Sequence, residues 1–176
     1  MSIGRRTRAE TGFSLVELVA VIAILGILAV VVGGPTLGYI DSIRARSAGS
    51  RLTSDIRYAQ RLALGSGLRC WVVLDAGLNQ YQLFMENPAS PGKAGRQAVV
   101  SPFEQSIVPV QFGVGPFANV VITSVSINAT SELEFDSFGV PYDANGAALA
   151  AAGAISLSSG VAISIQPVSG YVERGG

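Results

Sequence analysis

Gly12-Phe13-Ser14-Leu15-Val16-Glu17 opens an apolar run that ends only at Gly33-Gly34. Across residues 13–34, Glu17 is the one charged side chain. An ionised carboxylate at membrane depth is costly unless a partner neutralises it, so its presence there signals a function. The run spans 22 residues, about 33 Å as a helix against a bilayer core of ~30 Å. Arg5, Arg6 and Arg8 precede it. Such a basic leader holds the N-terminus in the cytoplasm and sends the remainder outside. Two plainer readings compete. A secretory signal peptide has an apolar core of about 7–15 residues and a small-x-small cut site. Leu18–Val32 already reaches that limit, and Ala29–Pro35 lacks an Ala-x-Ala pattern. An uncut membrane anchor fits the length and topology, but gives Glu17 no role.

The same residues resemble the processing signal of the type IV pilin superfamily: type IV pilins, type II secretion pseudopilins and DNA-uptake pilins. That pattern is a basic leader, Gly, an apolar residue, Thr or Ser, Leu, any residue, Glu, then about twenty apolar residues. Gly12, Phe13, Ser14, Leu15, Glu17 and Leu18–Val32 match it, over about the first fifth of the chain. The resemblance implies cleavage after Gly12 and methylation of the Phe13 amine by a prepilin peptidase, with Glu17 as the assembly residue. Such a cut creates an α-amino group at Phe13, close in height to Glu17. In a helical array the amine of one subunit would neutralise its neighbour's carboxylate.

Gly33-Gly34-Pro35 predicts a bend or loosening, because proline removes a donor and glycine weakens a helix. From Tyr39 to Leu64 the helical pattern returns. Ala45, Ala48, Leu52, Ile56, Ala59 and Ala63 recur at spacings of three and four, a narrow stripe of small side chains for a sheet to cover. Gly65-Ser66-Gly67 ends the helix. This segment and its exit carry Arg44, Arg46, Arg51, Arg57, Arg61 and Arg69 against Asp41 and Asp55. The chain from Cys70 on holds eight acidic residues and three basic. Such segregation suits complementary faces between packed subunits, a solvated helix face or, less well, a DNA-binding groove.

Beyond Cys70 the apolar period changes to two. Trp71–Asp75 and Gln80–Phe84 form a hairpin about Ala76–Asn79. Further strands are expected at Ala98–Val100, Ile107–Phe112, Val121–Ile127 and Glu132–Phe135. Ala154–Ser158 pairs with Val161–Gln166 across Ser159-Gly160, with Ile155, Leu157, Ile163 and Ile165 inward. Pro88–Gly95 reads as a mobile loop and Gly113–Pro116 as a turn. The result is an α+β domain, one long N-terminal helix packed on an antiparallel sheet. The organisation is 1–12 leader, 13–34 transmembrane and assembly helix, 35–69 amphipathic continuation and 70–176 sheet domain.

The run Asp55–Leu64, the segment Phe135-Asp136-Ser137-Phe138-Gly139 and the final hairpin with Gly170 resemble the H-type minor pseudopilins and T-type fimbrial minor pilins.

Composition excludes several chemistries. There is no histidine, so neither a His-based triad nor a His metal site can form. The single cysteine, Cys70, rules out an internal disulfide and reads as a buried structural residue. Net charge is zero, and about −2 once the leader is gone; nucleic acid is not an expected partner. Asp136, Asp143 and Asn145 are weak calcium candidates, since hard oxygen ligands cluster there. Asp143-Ala144-Asn145-Gly146 reads more simply as a turn. No cofactor and no enzymatic activity are expected.

Together with the resemblance, these readings imply a structural subunit of a type II secretion pseudopilus, a minor pseudopilin. It would insert once in a bacterial inner membrane, N-terminus cytoplasmic and C-terminal domain periplasmic, and later enter a filament. Its partners would be other pilin-like subunits, the prepilin peptidase and an inner-membrane assembly platform. The alternatives are a minor pilin of a surface pilus or DNA-uptake machine, and an uncleaved anchored protein.

Overall fold

The computed structural model describes residues 14–104 and 107–175, without the side chains of residues 30–37. The leader arginines Arg5, Arg6 and Arg8 and the junction Gly12-Phe13 lie outside the described residues. A single α-helix, α1, runs Leu15–Ser66, and the chain divides into two compact units at Tyr39. The helical backbone continues through Gly33-Gly34-Pro35, where a bend or loosening is expected.

In the first unit, the described side chains from Ser14 to Ala29 are all exposed. Among the described residues no helix is long and apolar enough to cross a membrane. The apolar run itself extends past them, to Gly34.

In the second unit, residues 40–66 of α1 pack on the sheets through the stripe read from the sequence. Ala45, Ala48, Leu52, Ile56, Ala59 and Ala63 are at most 2% exposed. After Ser66, Gly67 takes a left-handed φ of 70° and its N–H bonds Ala63 O at 3.0 Å, closing the last turn.

Ten strands among the described residues form two antiparallel sheets, where the sequence suggests one. The first holds β1 (Cys70–Asp75), β2 (Gln80–Met85), β3 (Gln97–Ala98), β4 (Val110–Gln111), β6 (Glu132–Phe135) and β7 (Pro141–Tyr142). The second has the order β10-β9-β8-β5, from β5 (Ile122–Ser126), β8 (Gly153–Leu157), β9 (Ala162–Ile165) and β10 (Val172–Gly175). The first hairpin has the expected register, Asp75 opposite Gln80. In the last, a three-residue loop, Ser158–Gly160, replaces the expected two-residue turn and sets Ile155 opposite Ile163, and all four predicted inward residues are buried. The split arises at Asn128-Ala129. Both take positive φ and Ile127 and Thr130 exchange backbone bonds, a tight two-residue turn. Beyond it β6 leaves β5 and pairs with β1, while β5 pairs with β8.

Three expectations change. The Ile107–Phe112 strand shrinks to Val110–Gln111 and leaves Ile107 and Val108 exposed; Pro109, which has no N–H to donate, sits at its edge. Two strands, β7 and β10, carry no alternating signal. The loop after Met85 is tied down. Glu86 accepts the Gly92 N–H at 2.8 Å, and Lys93 and Arg96 each meet Glu132 at 2.8 Å.

Candidate functional site

The helix start is built on one residue. Ser14 O accepts the N–H of Glu17 at 3.0 Å and of Leu18 at 3.1 Å. Glu17 therefore sits in the first turn of α1, where a negative charge complements the unpaired N–H groups. Ser14-Leu15-Val16-Glu17 also has the spacing of a capping box, a local signal of a helix start. Glu17 has no ion-pair partner among the described residues. Around it Leu15, Val16, Leu18 and Val19 are exposed, Leu15 to 80%. A single acid thus stands among exposed apolar side chains, with no ion-pair partner among the described residues. Phe13, the proposed source of the compensating amine, is outside the described residues.

The basic series of α1 is used largely within the domain. Arg51 Nε donates to Asp55 Oδ2 at 3.0 Å, and its Nη2 donates to Glu104 at 3.0 Å and to Ser101 Oγ at 2.9 Å. Arg57 donates twice to Val172 O, Arg69 meets Glu134 at 3.1 Å, and Arg44 meets Asp41 at 3.3 Å. Charge segregation in the sequence therefore marks, in large part, contacts inside one subunit. Asp55 is fully buried, and it also accepts from Tyr81 Oη at 2.6 Å and Ser101 Oγ at 2.7 Å. Nothing in the periodicity singles out that node.

The calcium candidates are occupied by the chain itself. Asp143 Oδ1 accepts the N–H of Asn145 at 2.8 Å and of Ala147 at 3.0 Å, and Asn128 donates to Oδ2 at 3.2 Å. Those backbone donors, the Ala147 N–H foremost, hold the Asp143 carboxyl below its usual range. Asp136 Oδ1 likewise caps Phe138 and Val140. A small cleft of about 150 Å³ does bring Asp136 to Glu134, but the Arg69 guanidinium lines it too and supplies the positive charge. No group of three metal-ligating side chains occurs among the described residues. Cys70 is fully buried, and burial, then the Glu86 charge, push its thiol up to about 12.

A model of the prokaryotic N-terminal methylation motif matches residues 7–33, the stretch that holds Gly12, Phe13 and Glu17. No curated protein matches the chain. Among solved structures, the fold is similar to that of the minor pseudopilin EpsH from the Type 2 Secretion System of Vibrio cholerae. The TM-score is 0.53 at 10% identity, covering 75% of this chain and 96% of that one. The signal is a prokaryotic N-terminal methylation motif, and the fold is similar to that of a minor pseudopilin. At that identity the likeness lies in architecture: one long helix packed on antiparallel sheets. The pilin-like reading of the N-terminal segment thus rests on the methylation motif, and that of the architecture on the fold.

Proposed function

We propose that the chain is a structural subunit of a type II secretion pseudopilus, a minor pseudopilin. It is cut after Gly12 by a prepilin peptidase and methylated at Phe13. It rests in the inner membrane through residues 13–34 with its sheet domain outside. An assembly platform then draws it into the filament, where Glu17 pairs with the Phe13 amine of a neighbour. The observation that carries this reading is Glu17 itself, a carboxylate without an ion-pair partner among the described residues, on the exposed apolar first turn of α1. The match of residues 7–33 to the methylation motif and the pseudopilin-like fold support it. A role in DNA uptake draws less support, because Arg44, Arg51, Arg57 and Arg69 are held by intradomain acceptors.

Mass spectrometry of chain purified from membranes tests the processing step. The expected material begins at a methylated Phe13; material beginning at Met1 would leave an uncleaved anchor. Glu17→Ala tests assembly, by loss of the variant from sheared filaments while its membrane level holds. Equal incorporation of the variant would refute the pairing.

A further inference from the structure

Between α1 and β10 lies a cleft of about 450 Å³ that the filament reading does not use. It is lined by Ser50, Thr53, Ser54 and Arg57 of α1 and by Tyr171, Glu173 and Arg174. Thr53 is 6% exposed, and its Oγ1 is buried with no hydrogen-bond partner. A helical threonine ordinarily bonds the carbonyl four residues back, here that of Gly49; Thr53 does not. A buried hydroxyl left unpaired destabilises the fold; Thr53 lines the cleft, and a turn of its side chain about χ1 would bring the hydroxyl to an acceptor bound there.

Both arginines are fixed by one edge and open at the other. Arg57 places Nε and Nη2 on Val172 O, at 3.1 and 2.6 Å, which leaves Nη1 for a further acceptor. Arg174 places Nη1 on Arg46 O at 3.2 Å, which leaves Nε and Nη2. Its stem lies against the helix because residue 49 is glycine. A Cβ there would come within 3.2 Å of Arg174 Cδ and 2.6 Å of Val161 Cγ1.

We infer that this cleft is a receptor for a carboxylate carried on an acidic polypeptide segment, with Thr53, Arg57 and Arg174 as its donors. The fork of a guanidinium matches a carboxylate, and an acceptor-only group suits a wall of donors. Glu173 stands in the same wall and disfavours a doubly charged ion such as phosphate more than a single carboxylate. That the segment belongs to a neighbouring subunit rests on the filament reading; the site itself does not.

The test uses full-length ¹⁵N-labelled chain in detergent micelles, titrated with acetyl-Ala-Glu-Ala-Glu-Ala-amide and, separately, with inorganic phosphate. The peptide should give saturable shifts confined to residues 50–57 and 171–174. Thr53→Val keeps the side-chain shape, should melt at or above the wild type without peptide, and should weaken peptide binding about ten-fold. Arg174→Gln should weaken it likewise. Phosphate binding as tightly as the peptide, an unchanged affinity in Thr53→Val, or no saturable response to the peptide would each overturn the inference. An uncut N-terminus or an assembly-competent Glu17→Ala chain would end the filament reading and leave this result standing.

Discussion

Tyr81 donates its hydroxyl hydrogen to Asp55 Oδ2 at 2.6 Å, and so binds β2 to α1 at a point where both side chains are buried. The carboxylate is compensated by Arg51 and Ser101 as well, which ties the Ser101–Glu104 turn to the same node. A charge taken out of water is tolerable only with such a full set of partners.

Tyr81→Phe should therefore lower stability by about 1.5–3 kcal/mol, the range for a bond to a charged acceptor. Asp55→Ala should cost about 3 kcal/mol or more, because it leaves the Arg51 guanidinium and two hydroxyls without their acceptor. Denaturant titration of the detergent-solubilised chain measures both. Burial first, and the Asp55 charge next, raise the Tyr81 phenol far above its ordinary pKa. A raised acid stabilises the fold fully below its unfolded pKa, ~10. Above that, the unfolded state ionises while the folded state does not, and stability falls as pH climbs. The alkaline loss should be smaller in Tyr81→Phe.

Cys70 should be inert in the native chain. Its thiol is buried and raised to about 12, against an ordinary value of ~8.5. Thiolate, the reactive form, is then scarce at pH 8. Iodoacetamide should label Cys70 only after denaturant unfolds the domain; fast labelling without denaturant would show that the strand opens. The sign of the linkage matches that of Tyr81: stability holds below pH ~8.5 and declines as pH rises toward the folded pKa.

Calcium should leave the melting temperature of the chain unchanged, with EDTA as the comparison. Asp143 already spends both carboxylate oxygens on Asn145, Ala147 and Asn128. Asp143→Ala should lower the melting temperature in either buffer, since it uncaps the turn. Its lowered pKa stabilises the fold above the ordinary range, and that contribution is lost as pH falls through the folded value. A rise in melting temperature with calcium, abolished by Asp143→Ala, would reinstate the site.

The elements legible in the sequence were those where periodicity and burial coincide. The stripe from Ala45 to Ala63 and the alternation Ile155, Leu157, Ile163, Ile165 each face the core as their spacing requires. The two-sheet split was not legible, because it depends on which partner β5 takes after the Asn128-Ala129 turn. Strand β10 was hidden for a related reason: only Val172 is buried, and its remaining residues are charged or glycine. Glu17 stood out because one charge interrupts an apolar run. Thr53, Arg57 and Arg174 did not, since residues distant in sequence meet there only when β10 docks on α1.

Gly170 closes the turn between β9 and β10 at a φ of 62°, and its N–H bonds Gln166 O at 3.1 Å. A Cβ at this position would come 2.6 Å from Gln60 Nε2, 2.8 Å from Gly139 O and 2.9 Å from Phe135 Cε1. Gln60 can shift, but Gly139 O is backbone and Phe135 is fully buried. Gln60 Nε2 bonds both Gly139 O at 2.9 Å and Ser169 O at 2.8 Å, so displacing it frees two turns from the helix. Gly170→Ala should thus combine left-handed strain with overpacking, about 3 kcal/mol or more. Gly146, also at positive φ but with open space around it, separates the two effects. Gly146→Ala should cost only about 1–2 kcal/mol. Equal losses in the two variants, measured by denaturant midpoint, would show that the contacts around Gly170 yield and that strain alone sets the cost.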